Sequence, residues 1–240
     1  TGITSSQASA ITANTAKVTN STSASDLTSG TLADARFPTT LPAISGANLT
    51  NLPAGGATSI NGLTDGYNVG NSVGLGTGAL ANDDGTTNVN TAVGTNTLNS
   101  TTSGSYNTAI GFKALTANTT GTYNTASGNY ALIANTTGIR NTASGSYALR
   151  SNTTGTSNVA AGYGALNSNT TASYNTANGF YSLYANTTGS YNTASGMYAL
   201  KSTTTGYQNT ASGYSALKLN TTGTNNVASG SKALQNNTTG

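Results

Sequence analysis

From Asn90 onward the apolar residues follow neither a helical stripe nor a simple alternation. They recur once per 17 residues in a unit that reads Asn-Thr-Ala-Ser-Gly-x-x-Ala-Leu-x-x-Asn-Thr-Thr-Gly-x-Tyr. The unit begins at Asn90, Asn107, Asn124, Asn141, Asn158, Asn175, Asn192, Asn209 and Asn226 without insertion or deletion. A looser copy precedes them, in which Gly76, Ala79 and Leu80 match the Gly, Ala and Leu columns and the loop from Ala81 to Val89 carries one extra residue. A short fixed period whose only insertion falls in the first copy predicts a solenoid, in which each turn packs on its neighbours.

The columns say what each position does. The third position is Ala and the fifth Gly in all nine regular copies, so bulk is unwelcome on that face of a strand. The second is Thr except at Val159 and Val227, the exchange expected of a β-branched strand residue. Leu98, Leu115, Leu132, Leu149, Leu166, Leu183, Leu200, Leu217 and Leu234 form an unbroken column and are the expected core. Together with the preceding Ala they read as a second short strand. Gly at the fifth position and the Asn-Thr-Thr-Gly run supply residues suited to tight corners, so each coil is expected to have two strands and two corners. With no helical apolar stripe, the fold class is all-β: a parallel β-roll or β-solenoid of about ten coils.

One Leu, two Ala and an occasional Val or Ile per coil make a thin core. A lone solenoid with so little apolar volume offsets the entropy of ordering its chain poorly. Side-by-side association of identical chains, a homotrimer, is the expected remedy.

The residues before the array have another texture. Residues 1–25 form a Ser/Thr/Ala-rich connector, 26–58 a linker holding all three prolines (Pro38, Pro42 and Pro53), 59–89 an irregular first coil and cap, and 90–240 the nine repeats, the last incomplete. In the connector, Ile11, Asn14 and Val18 fit successive a, d and a positions of a heptad. This pattern resembles the polar layers of trimeric coiled coils in adhesive fibres, and the resemblance implies an anion-binding layer at Asn14. Thr4 and Gln7 break the heptad, so an extended connector and a short coiled coil both stand. The stretch from Asp26 to Pro53 resembles linker segments of bacteriophage tail fibre proteins. Proline and glycine interrupt regular ladders there, while Leu27, Leu32, Phe37, Ile44, Leu49 and Leu52 supply anchors for interchain packing.

Within the array, Asn-Thr-Ala-Ile-Gly-Phe-Lys-Ala-Leu at 107–115 and Asn-Thr-Ala-Val-Gly at 90–94 resemble the head repeats of trimeric autotransporter adhesins. That family implies a left-handed parallel β-roll and a homotrimer. The longer unit departs from its usual spacing, which leaves handedness open. The expectation is a structural shaft of a phage tail fibre, part of the virion, that touches other tail proteins and adheres to host-cell surface polysaccharide. The alternatives are the head of a bacterial adhesin on the outer surface and an ice-binding solenoid.

Composition narrows the chemistry. The chain has no His, Cys or Glu, and its five acids, Asp26, Asp34, Asp65, Asp83 and Asp84, all precede the repeats. No imidazole is present to activate a nucleophile and no carboxylate pair lies in the array, so no catalytic residue, metal ligand or cofactor is expected. The repeats hold Lys113, Arg140, Arg150, Lys201, Lys218 and Lys232 without an acidic counterpart. So few cations make no dense patch for nucleic acid, but they suit an acidic polysaccharide. No apolar run is long enough for a membrane helix, and none is expected to insert. Tyr130, Tyr147, Tyr181 and Tyr198 after the Gly column, and Tyr106, Tyr123, Tyr174 and Tyr191 before the Asn, read as stacking ladders that also offer rings to sugars. Asn118, Asn135, Asn152, Asn169, Asn186, Asn220 and Asn237 match the N-glycosylation pattern while serving as corner formers. Asp83 and Asp84 are a candidate cation loop, with an ordinary solvated loop the plainer reading.

Overall fold

The computed structural model describes the backbone of residues 66–69 and all of residues 71–85 and 88–240. The connector, the linker and the Asn14 layer lie outside the described residues. So does the start of the cap.

One eleven-stranded sheet runs in chain order. It opens with β1 (Gly66–Val69) and β2 (Ser72–Leu75), which pair as an antiparallel hairpin. The remaining strands are β3 (Thr91–Val93), β4 (Thr108–Ile110), β5 (Thr125–Ser127), β6 (Thr142–Ser144), β7 (Val159–Ala161), β8 (Thr176–Asn178), β9 (Thr193–Ser195), β10 (Thr210–Ser212) and β11 (Val227–Ser229). From β2 onward every pairing is parallel and in register, Ala on Ala from Ala92 to Ala228. The described residues thus form an all-β parallel solenoid with the 17-residue period, and none of them is helical. Hairpin strand β1 runs against this direction and covers the edge of β2, which would otherwise offer a row of unpaired backbone groups.

One sequence expectation needs correction. Each coil has one strand of three residues and not two, because the Ala-Leu segment is turn. Every leucine of that column has a left-handed backbone, from φ 46° at Leu98 to φ 53° at Leu80. Bends fall at the expected places, the Gly of the fifth position (φ 125° at Gly111) and the two threonines of the Asn-Thr-Thr-Gly run, but the chain also turns at others. Besides the leucines, left-handed residues occupy the seventh position (Tyr130, φ 58°) and the seventeenth (Tyr123, φ 59°), while the Asn of the Asn-Thr-Thr run is not among them. A left-handed leucine costs on the order of 1–2 kcal/mol, and burying its side chain returns about 1.5–3 kcal/mol. The leucine therefore adds modest net stability. What holds it in this conformation is the ladder: Leu98 N–H donates to Ala114 O, Leu115 N–H to Ala131 O, and so on coil after coil.

The core closes within one chain. Eight leucines from Leu98 to Leu217 are fully buried together with the Ala columns. The volume that the apolar residues leave empty is taken by amides, since Asn107, Asn124, Asn141, Asn158, Asn175 and Asn192 at the first position are buried too. In each coil the backbone N–H and Nδ2 of Asn124 donate to Oδ1 of Asn107, at 3.0 and 3.1 Å, and Nδ2 also donates to Gly138 O at 2.8 Å. A parallel ladder at the twelfth position runs from Asn118 through Asn135, Asn152 and Asn169 to Asn186, each Nδ2 after the first donating to the Oδ1 one coil earlier. Both ladders converge on the same carbonyl; Asn135 Nδ2 meets Gly138 O at 3.1 Å. Buried amides are stable when their donors and acceptors are met, and here the coil repeat meets them wherever asparagine follows asparagine. The thin apolar core is thus filled out by amides of the same chain, which no single-residue pattern marks.

Candidate functional surface

The side chains that point outward at the sixth, seventh and tenth positions of successive coils form one continuous stripe. The seventh position is left-handed in every coil, which turns its side chain along the stack, so that rings from adjacent coils meet. Tyr130 and Tyr147 stack at 5.4 Å with planes 6° apart, and Phe112 meets Tyr130 edge-on at 5.3 Å. The run continues through Tyr163, Phe180, Tyr181 and Tyr198 to Tyr214. Cations sit on these rings: Lys113 over Phe112 at 5.2 Å, Arg150 over Tyr147 at 6.0 Å, Lys201 over Tyr198 at 5.1 Å and Lys218 over Tyr198 at 5.7 Å. Such contacts contribute about 0.5–1 kcal/mol each at exposed sites. No acid occurs after Asp84, so the charges of the stripe are not neutralised by carboxylates of the repeats.

Of the residues singled out in the sequence, Tyr130, Tyr147, Tyr181, Tyr198, Lys113, Arg150, Lys201 and Lys218 come together in this stripe. Lys232 occupies the same seventh column one coil beyond Ser215, with no ring contact. Arg140 does not belong; it lies at the seventeenth position, between the stacked pairs Tyr106–Tyr123 (5.0 Å) and Tyr174–Tyr191 (5.1 Å). Phe112, Phe180 and Tyr184 are members that single-column counting missed, and they are joined by Tyr163 and Tyr214, whose shift of one position is plain in the sequence. They stand one position before the tyrosine column or three after it. The signal that marks them is that the sixth and tenth columns, which hold them, are the ones whose residues vary most from coil to coil.

At one place the stack opens. The seventh position of the coil at Asn158 is Gly164, and a Cβ there would meet the Tyr181 ring at 2.6 Å. The Tyr181 ring occupies the space that a side chain at Gly164 would need, and around it Tyr147 meets Tyr163 at 73° and Tyr181 meets Tyr184 at 70°. A recess of about 190 Å³ results, lined by Tyr147, Arg150, Tyr163, Asn167, Tyr181 and Tyr184. Partial burial first, then the neighbouring Tyr163 phenol, hold the Tyr181 hydroxyl above the ordinary phenol value of 10.0.

Two other candidates change character. Asp83 is not solvated: it is buried, and its carboxylate accepts from Gly85 N–H, Asn88 Nδ2 (2.7 Å) and Asn90 Nδ2 (3.4 Å), so it terminates the first-position amide ladder. The Asn-Thr-Thr asparagines from Asn118 to Asn186, and Asn220, are fully buried, so the folded coil offers none of them to a glycosyl donor. Only Asn237 is part-exposed. The first Thr of the run is committed as well, its hydroxyl donating to the carbonyl one coil on, as from Thr136 to Thr153 at 3.1 Å.

No family profile, curated protein or solved structure matches this chain.

Proposed function

We propose that this chain is the shaft of a fibre that adheres to a polyanionic, carbohydrate-rich surface by repeated weak contacts and without catalysis. The observation that supports the reading is the unbroken run of rings and unpaired cations from Phe112 to Tyr214. Tyrosine faces stack on the apolar face of a sugar ring, phenol hydroxyls bond its hydroxyls, and lysine and arginine attract its carboxylates. Several such contacts on one rod raise retention far above that of any one of them. Together with the phrases of residues 26–53 and the units at 90–94 and 107–115, this favours a phage tail fibre acting at the host surface, ahead of a bacterial adhesin. We assign the strand face, where Ile110 and Val159 are exposed among threonines, to sister chains of a homotrimer.

Retention of the purified chain on an immobilised acidic polysaccharide tests the adhesion. The triple variant Arg150→Gln, Lys201→Gln, Lys218→Gln is expected to elute early, and salt to release the parent. A parent that flows through unretained sinks the reading. Sedimentation mass tests the trimer separately.

A second reading rests on that same strand face. The hydroxyls of Thr125, Thr142, Thr176, Thr193 and Thr210 are exposed in one regular column and have no hydrogen-bond partner among the described residues. A face left bare in solution would suit ice binding, and thermal hysteresis in a purified sample decides it.

A further inference from the structure

The recess beside Gly164 differs in kind from the rest of the stripe, and we infer that it is a discrete binding site for one acidic pyranose unit, a uronic acid residue of a polysaccharide chain. The inference rests on the adhesion reading above and adds a place and a ligand class to it. Elsewhere in the regular repeats the seventh position carries a side chain. Here the missing side chain of Gly164 breaks the column, and four tyrosines meet at steep angles around a hollow. Its volume of about 190 Å³ is several times the roughly 30 Å³ of a water molecule, room for a single sugar ring.

The lining residues match such a ring on each side. Tyr147, Tyr163, Tyr181 and Tyr184 give it apolar faces and phenol hydroxyls. Asn167 Nδ2 is fixed by the Tyr147 carbonyl at 3.2 Å, which leaves its Oδ1 to accept from a sugar hydroxyl. Arg150 lies at the rim, exposed, above the Tyr147 ring, and no carboxylate of the repeats competes for it. A planar guanidinium in that position pairs with the planar carboxylate of a uronic acid, a match that a neutral sugar lacks. A pyranose that stacks on tyrosine and carries its carboxylate toward Arg150 satisfies all three contacts at once.

The test uses the full chain, titrated with a galacturonic acid trimer and with its methyl ester, and followed by calorimetry and by the ring resonances of the tyrosines. The free acid is expected to bind and the ester about tenfold more weakly. Arg150→Gln should cost about the same factor for the acid and nothing for the ester. Gly164→Tyr restores the column and fills the hollow, so binding should be lost. It should still fold, because Gly164 has φ 62° and tyrosine already occupies this position at φ 60° in Tyr147. Circular dichroism checks that. Equal binding by parent, Arg150→Gln and Gly164→Tyr overturns the site, and equal binding of acid and ester overturns the ligand class. The two readings separate cleanly. Polysaccharide retention that persists without trimer binding sinks the recess alone, whereas trimer binding without polysaccharide retention sinks the adhesion reading alone.

Discussion

Asn186 and Thr203 stand at the same position of adjacent coils, and between them the inner amide ladder is interrupted. Every asparagine from Asn118 to Asn169 has its Oδ1 bonded by the Nδ2 of the next coil, but Thr203 has no amide to give, and Asn186 Oδ1 is buried with no partner. The Thr203 hydroxyl turns instead to Asn220 O at 3.1 Å. A buried acceptor without a donor costs about 1–3 kcal/mol. Thr203→Asn should therefore stabilise the chain by about 1 kcal/mol, after loss of the threonine bond. Urea titration reads this as a higher midpoint at unchanged slope. Thr101, whose own hydroxyl is buried and unpaired, is the second such place.

Gly128 and Gly230 share the fifth position but face different surroundings. A Cβ on Gly128 would come within 2.5 Å of the Gly145 carbonyl carbon, while one on Gly230 would meet nothing. Both have a backbone that side chains rarely adopt, at φ 141° and 120°. Gly128→Ala carries the strain and a backbone clash that only wider coil spacing relieves; Gly230→Ala carries the strain alone. The first should cost at least about 2 kcal/mol more than the second, checked by paired thermal melts.

Periodicity made the solenoid legible, because an in-register stack demands that each position keep one environment in every coil. The Ala, Gly and Leu columns were read rightly as interior or crowded. The burial of asparagine at both of its columns was not legible, and the reason is general. Asn is a common corner residue and a poor core residue taken singly. Its stacking at one-coil spacing satisfies the amide through its own copies, and no local propensity registers that. Left-handed leucine escaped notice for the same cause, since intercoil hydrogen bonds override a preference visible in one residue. The stripe was half legible. Its tyrosine column stood out, with Tyr163 and Tyr214 one position earlier, but Phe112, Phe180 and Tyr184 reach it from other columns, and the recess depends on a side chain that Gly164 does not have.

The direction of the outer amide ladder gives a sharper test. Asn124 donates from Nδ2 to Gly138 O and to Asn107 Oδ1. In Asn124→Asp a carboxylate oxygen would face both acceptors without a proton between them. The buried carboxyl is then held above its ordinary value near 3.9. The stability it contributes is present below that value, where the carboxyl is protonated in folded and unfolded chains alike, and is lost as pH rises through it. The variant should be destabilised by about 3 kcal/mol or more at neutral pH and recover in part on acidification. A stability difference from the parent that does not narrow between neutral and acid pH would contradict the donor assignment.

Tyr181 supplies the corresponding prediction at the alkaline end. Its hydroxyl is held above the ordinary 10.0 by partial burial and by Tyr163, so the folded chain keeps this proton longer than the unfolded chain does. The contribution to stability is complete below pH 10.0 and declines as pH rises past it, because the unfolded phenol ionises first. Spectroscopic titration of the folded protein should show one tyrosine ionising after the others, and Tyr181→Phe should remove that last step. The same substitution should flatten the fall in unfolding midpoint above that pH. Tyr106→Phe provides the control, since that ring lies in the seventeenth-position column, away from the recess, and its loss should leave the late step in place.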